Sequence, residues 1–296
     1  MRQRQFRASL VRGVAFFSLM LGASGVALSA DLGAGPRPGS PPSQWRMSFT
    51  PYAWLTWLDG KQTARGRSVD VHVDPIQVLS HLERVPFFGY GEARNGPIAL
   101  YTDVFYANLG LSGDGVRSRS LAPGITGTLS AAVGLDFEET VVEVGGAYEV
   151  MKWDSHTAID LLAGARYWHQ EMSVNLALVG TLDVADLSTS RGFAIARGGS
   201  VDWVDPLVGA RLRYNLAPGH DVLLRGDVGG FGVGSEFTWN ALAAYTFIFA
   251  KQDGVTYSGL LGYRALSADY EQGSGRTQYV YDQVMHGPVT GLTIGF

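Results

Sequence analysis

The chain of 296 residues contains no cysteine, which excludes disulfides and cysteine-linked lipid anchors alike. Beyond residue 30 no stretch approaches the ~18 consecutive apolar residues of a membrane-crossing helix, so helical spans are excluded there. Charge is scarce as well, at 17% Asp, Glu, Lys and Arg. What is plentiful is the material of strands and bends: 46% hydrophobic residues, 39 Gly, 13 Tyr and 7 Trp. That balance points to many aromatic-bearing strands instead of a helical enzyme.

The N-terminus has the layout of a secretory signal peptide. Arg2, Arg4, Arg7 and Arg12 precede an apolar run from Val14 to about Leu28, and small residues follow at Ser29 and Ala30. Cleavage is expected after Ser29, where Ala27 and Ser29 satisfy the small-x-small rule, or after Ala30. Removing residues 1–30 takes away those four arginines and no acid, moving the net charge from −4 to −8. Bulk charge therefore argues against nucleic acid as a partner. Residues 31–44, with four prolines and no periodicity, read as a flexible leader, and residues 45–296 as the folded domain.

Alternation with period two dominates that domain. Between Trp203 and Ala250, Pro206, Val208, Ala210, Leu212 and Tyr214 form one row, opposed by Asp205, Leu207, Gly209, Arg211 and Arg213. Val222, Leu224 and Val228 oppose Arg225 and Asp227; Trp239, Tyr245, Phe247 and Phe249 oppose Thr238, Asn240 and Thr246. A soluble sandwich would bury the apolar row, whereas a membrane barrel would turn it to lipid around a polar lumen. At Asn95-Gly96 a two-residue turn would pair Glu92 with Ala99, Tyr90 with Tyr101 and Phe88 with Asp103.

Connection lengths separate the two. Short turns are expected near 95–96, 151–155, 217–220 and 251–254, and longer connections near 59–84, 112–126, 177–199, 230–235 and 271–277. Strict alternation of short and long is the turn-and-loop asymmetry of an outer-membrane barrel. It gives a closed, antiparallel, up-and-down transmembrane barrel of ten strands, or twelve if Gly66–Val73 or Leu129–Phe137 is counted separately.

One helix is expected in the first long connection. Asp74 can cap it, Pro75 can take its first position and Gln77 can complete a capping box. Ile76, Leu79 and Leu82 would share one side as far as about Glu83. Such a helix could plug the lumen, lie across a mouth as a lid, or cover an edge from outside.

The chain ends in alternating apolar residues and Phe296, and this resembles the C-terminal signature that insertion machinery recognises in Gram-negative outer-membrane barrels. Trp203-Val204-Asp205-Pro206-Leu207-Val208-Gly209-Ala210-Arg211, Gly229-Gly230-Phe231-Gly232-Val233-Gly234-Ser235 and His286-Gly287-Pro288 look like motifs of an uncharacterised group of small outer-membrane barrels. The resemblance implies a Gram-negative outer-membrane location, outer-membrane lipid and the insertion machinery as partners, and a monomer.

Read through the alternation, the inward row holds Glu92, Arg94, Asp103, Glu143, Glu149, Asp160, Arg166, Asp205, Arg211, Arg213, Arg225, Asp227 and Arg264. These are seven acids and six arginines with no lysine, a set suited to bidentate pairing in a narrow lumen. An envelope-structural role or passive passage of small polar solutes follows. No catalytic set assembles from the six histidines, no metal-ligand spacing is present, and no cofactor is called for. An enzyme acting on lipid or peptide would have to use the outer rim, near His169 and Asp269. An adhesin or receptor would use loops 59–84 and 177–199.

Overall fold

The computed structural model describes residues 45–64, 67–122, 125–154, 156–184 and 187–296. The expected signal peptide and leader lie outside the described residues. Twelve strands form one antiparallel sheet: β1 (Arg46–Trp54), β2 (Trp57–Ala64), β3 (Arg67–Val73), β4 (Phe87–Asn95), β5 (Ile98–Ala122), β6 (Ile125–Trp153), β7 (Thr157–Val184), β8 (Leu187–Ala217), β9 (His220–Gly230), β10 (Phe237–Gln252), β11 (Val255–Gln272) and β12 (Tyr279–Gly295). Ten of them, β1 and β4 to β12, close on themselves through the β1–β12 pairing. The other two, β2 and β3, form a hairpin added to the outer half of β12, where Trp57 faces His286 and Ala64 faces Tyr279. One short helix, α1 (Pro75–Ser80), and a 3₁₀ turn complete the described structure.

Burial along each strand is the inverse of a soluble protein's. Asp160, Arg166 and Asp205 are fully buried, while their apolar neighbours Leu161, Val204 and Val208 are exposed. Charged side chains lie inside the barrel, and apolar rows cover its outer face. A continuous exposed apolar band of this kind is stable only in a non-aqueous surround.

Three expectations are corrected. The first hairpin is offset by two residues, pairing Glu92 with Tyr101, Tyr90 with Asp103 and Phe88 with Phe105. The turn residues are Gly96 and Pro97. Gly96 at φ 57° followed by proline fits a type II′ turn, so the Gly-Pro pair overrides the Asn-Gly signal. An even offset leaves every side chain on its expected face. Second, residues 112–122 and 177–184 are not loops: β5 to β8 run on as ladders of 25 to 31 residues, because Gly- and Ser-rich segments still pair when a long neighbour offers a continuous edge. Third, α1 ends at Ser80 instead of near Glu83, and residues 81–84 turn to pair with β5 through Leu82 and Leu109.

The expected capping box at α1 is present. Asp74 accepts from the backbone N–H groups of Ile76 and Gln77, both at 2.9 Å, and the Gln77 side chain accepts from the Asp74 N–H at 3.1 Å. The helix has no buried residue, and Ile76 is 78% exposed. It is not a buried plug; Val78 packs against the hydrophobic core while Ile76 and Leu79 are exposed. At the other end of the chain, Phe296 exchanges two backbone hydrogen bonds with Met47 and leaves its ring exposed.

Candidate functional site: the charged lumen

Every charged side chain in the lumen gets there by facing inward from a strand whose other row is apolar. On β4, β6, β7 and β8, the end near the short turns carries Glu92, Arg94, Glu149, Asp160, Arg211 and Arg213. Fully buried Asp160 takes Arg94 at 2.8 Å, Arg211 at 2.8 Å and Arg213 at 3.0 Å. Glu92 takes Arg211 at 2.5 Å and Arg94 at 3.2 Å, while Glu149 takes Arg213 at 2.5 Å. The Tyr90 hydroxyl donates to Glu92 at 2.6 Å.

A second layer lies further along the same strands. Arg166 of β7 reaches Glu143 of β6 and Asp227 of β9, each at 2.7 Å. Arg225 pairs with the same two carboxylates, at 2.9 Å to Asp227 and also in direct contact with Glu143. Asn240 donates to Asp227 at 2.8 Å and accepts from Arg264 at 3.1 Å. Arg264 in turn meets Asp103 at 2.7 Å, a carboxylate that also receives the Tyr52 hydroxyl at 2.8 Å. Burying so many ions is costly unless each is paired and its remaining lone pairs are satisfied, and this network meets both conditions. Arginine suits it because one planar fork can serve two carboxylates.

Aromatic rings cover the network on the side away from the short turns. Trp168, two residues beyond Arg166, stacks on Trp203 with centroids 5.5 Å apart, and Trp203 stacks on Tyr270 at 4.1 Å. Tyr281 leans on both indoles, and neither it nor Trp168 has any exposed surface. On the short-turn side, a cavity of about 540 Å³ opens between Arg46, Lys152, His156 and Asp221 and reaches inward as far as Arg225 and Arg264.

Asp205, expected among the arginines, is held differently. No cation pairs with it among the described residues; it accepts from the Ser235 N–H at 2.6 Å, the Ser235 hydroxyl at 2.8 Å and the Trp203 indole N–H at 3.2 Å. Two sequence motifs thus meet here, because Asp205 of the first fixes the turn that carries Ser235 of the second. A Cβ on Gly234 would lie 2.5 Å from the Val204 carbonyl oxygen and 2.6 Å from the Asp205 carboxylate, so only glycine allows this approach. Glu139 was not singled out from sequence. It is 2% exposed and accepts from Tyr281 at 2.9 Å and Gln170 at 2.8 Å. The segment around it has no clean alternation from which its inward direction could be read.

The residues of a rim enzyme do not converge. His169 on β7 bonds Asp202 of β8 at 2.8 Å, whereas Asp269 on β11 lies opposite Asp282 of β12 and Phe237 of β10. No cluster of three potential metal ligands occurs among the described residues.

No protein-family model matches the chain, and no curated protein does. Solved structures do. The attachment invasion locus protein Ail of Yersinia pestis, in complex with a heparin analogue, matches at 10% identity and a TM-score of 0.31, over 85% of this chain and 98% of that one. A FadL homologue of Pseudomonas aeruginosa matches at 8% identity and a TM-score of 0.28, over 85% and 90%. OccK2 of Pseudomonas aeruginosa matches at 9% identity and a TM-score of 0.21, over 85% and 97%.

Proposed function

We propose that this chain is a Gram-negative outer-membrane barrel whose role is structural, with a lumen closed to passive flow. The observation that carries this reading is Arg166. It has no exposed surface, joins β6 to β9 across the lumen, and lies directly beneath the Trp168–Trp203 stack. A solute would have to break several charge-assisted bonds and push apart a pair of stacked indoles to pass. The exposed apolar rows supply the lipid contact, and Phe296, at the β1–β12 closure, is the residue we assign to the insertion machinery.

The 540 Å³ cavity favours a narrower second reading, in which small polar solutes enter from the short-turn side and stop at Arg225 and Arg264. Proteoliposome swelling separates both readings from a pore. Vesicles bearing the refolded protein should swell in small sugars and amino acids no faster than empty ones. Swelling at rates typical of open porins would remove the closed-barrel reading.

A further inference from the structure

The seam between β1 and β4 is laddered over only part of its length. Ladder pairs between β1 and β4 run from Arg46 and Arg94 to Pro51 and Gly89 and stop there. Pro51 is the last residue of β1 paired with β4, and Pro86 stands just before β4 on the facing side. Beyond that point β1 stays with β12, through the Leu55 N–H on the Pro288 carbonyl at 3.0 Å, and leads into the β2–β3 hairpin. The chain before β4 stays with β5, through the Glu83 N–H on Asn108 at 3.2 Å and the Gly110 N–H on His81 at 2.8 Å. No ladder joins the two sides over this stretch among the described residues. Side chains bridge them inside, where Tyr52 stacks on Phe88 and Trp54 meets Phe105 edge-on, and α1 is the element that connects to both.

Behind the unzipped stretch lies an apolar cavity of about 100 Å³, walled by Trp54, Leu58, Phe88, Phe105, Phe137 and Met285. Its outer wall is Leu55, Leu79 and Pro86. Leu55 and Leu79 are themselves exposed, as are Ile76, Phe87 and Val85 around them, the last at 90%. Exposed and buried apolar residues thus share one cavity, whose lining also includes Thr56 and Glu139. Trp54, in its wall, has an indole N–H with no partner, a buried donor that a ligand oxygen would satisfy.

We propose that this gap is a lateral portal, covered by α1, that takes the acyl chain of a bilayer lipid into the barrel wall. The occupant follows from access and chemistry. On the membrane reading given above, on which this inference rests, the mouth faces hydrocarbon, so a lipid tail reaches it directly. The volume is about two-thirds of an apolar cavity that stays dry and accepts benzene, enough for a chain end and too small for a headgroup. An ester oxygen behind that chain is an acceptor for Trp54.

The test is photo-crosslinking of the full chain, refolded into vesicles containing a phospholipid with a diazirine on its acyl chain, followed by peptide mapping. Outward residues such as Val144 and Val208 should be labelled in any membrane barrel. The portal predicts additional label on inward-facing Trp54, Phe88 and Phe105. It also predicts at least a tenfold loss of that inward label in Ala107→Phe, which fills the cavity from within, and in Leu79→Trp, which blocks its mouth without touching the core. Heat-modifiable gel migration checks that each variant has folded. Label confined to outward residues would overturn the portal while leaving the membrane reading intact, and absence of outward label would overturn the membrane reading itself. Inward label obtained from a diazirine fatty acid but not from the phospholipid would overturn the assigned occupant, as would inward label unchanged in both variants.

Discussion

Arg166 holds carboxylates of two strands that are not neighbours in the sheet, and its removal leaves Arg225 as the one arginine for both in a buried site. Replacement by alanine should cost about 3–5 kcal/mol of unfolding free energy, the usual penalty for breaking one partner out of a buried ion network. Urea unfolding in lipid vesicles would measure it. The combined change Arg166→Met and Arg225→Met with Glu143→Gln and Asp227→Asn should recover some of that loss, since Arg225 shares both carboxylates and a neutral set of four carries no unpaired charge. At Asp205 the partners are neutral donors, so Ser235→Ala should cost about 1.5–3 kcal/mol, the value of hydrogen bonds to a charged group, and should loosen the turn after β9. The inward direction of Arg166, Asp205, Arg211 and Asp227 was legible because each stands in an unbroken alternation. Which carboxylate meets which arginine was not, since that depends on barrel diameter and stagger. Asp205 shows the difference: its row was readable, but its partner lies on a turn that reaches back over the rim.

Among the elements, the β4–β5 hairpin and the β2–β3 hairpin make contrasting predictions. Gly96 occupies the left-handed region at φ 57° with open space around it, so Gly96→Ala meets a backbone penalty of about 1–2 kcal/mol and no clash. Denaturation of that variant against wild type would read the cost. On β2, bonds from His72, and at 3.1 Å from His286, hold the Asp59 carboxyl below its ordinary value of 3.8. A carboxylate depressed in the folded state contributes stability above its unfolded value and loses it as pH falls through the folded one. Amide exchange over 58–64 should therefore stay slow from neutral pH down to about pH 4, after correction for the intrinsic pH dependence of exchange, and accelerate below that. Asp59→Asn should exchange faster already at neutral pH. The capping box of α1 was legible residue by residue. The reach of β5 to β8 was not, because the glycines and serines of 112–126 and 177–199 carry turn chemistry locally and yield to the neighbouring ladder.

For the whole molecule, the informative sequence features were those that do not depend on local propensity. The period-two alternation and the inverted placement of charge both call for closure into a barrel. The strict alternation of short and long connections does not hold, because β5 to β8 run on to short turns where long loops were expected near 112–126 and 177–199. The added hairpin is the element that strand counting could give only as an alternative, because a bend at Leu55 and Thr56 lets one continuous run serve first the barrel and then the hairpin. Oligomeric state and lipid preference belong to the same scale but depend on the outer surface, where the apolar rows look much alike. The central claim, that Arg–carboxylate layers and the Trp168–Trp203–Tyr281 cluster close the lumen, is tested most directly by single-channel recording in planar bilayers. Wild type should give no steps above the lipid background in concentrated potassium chloride, while the triple variant Trp168→Ala, Trp203→Ala, Tyr281→Ala should give small, flickering ones. Stable steps of constant size from the wild-type protein would contradict the account.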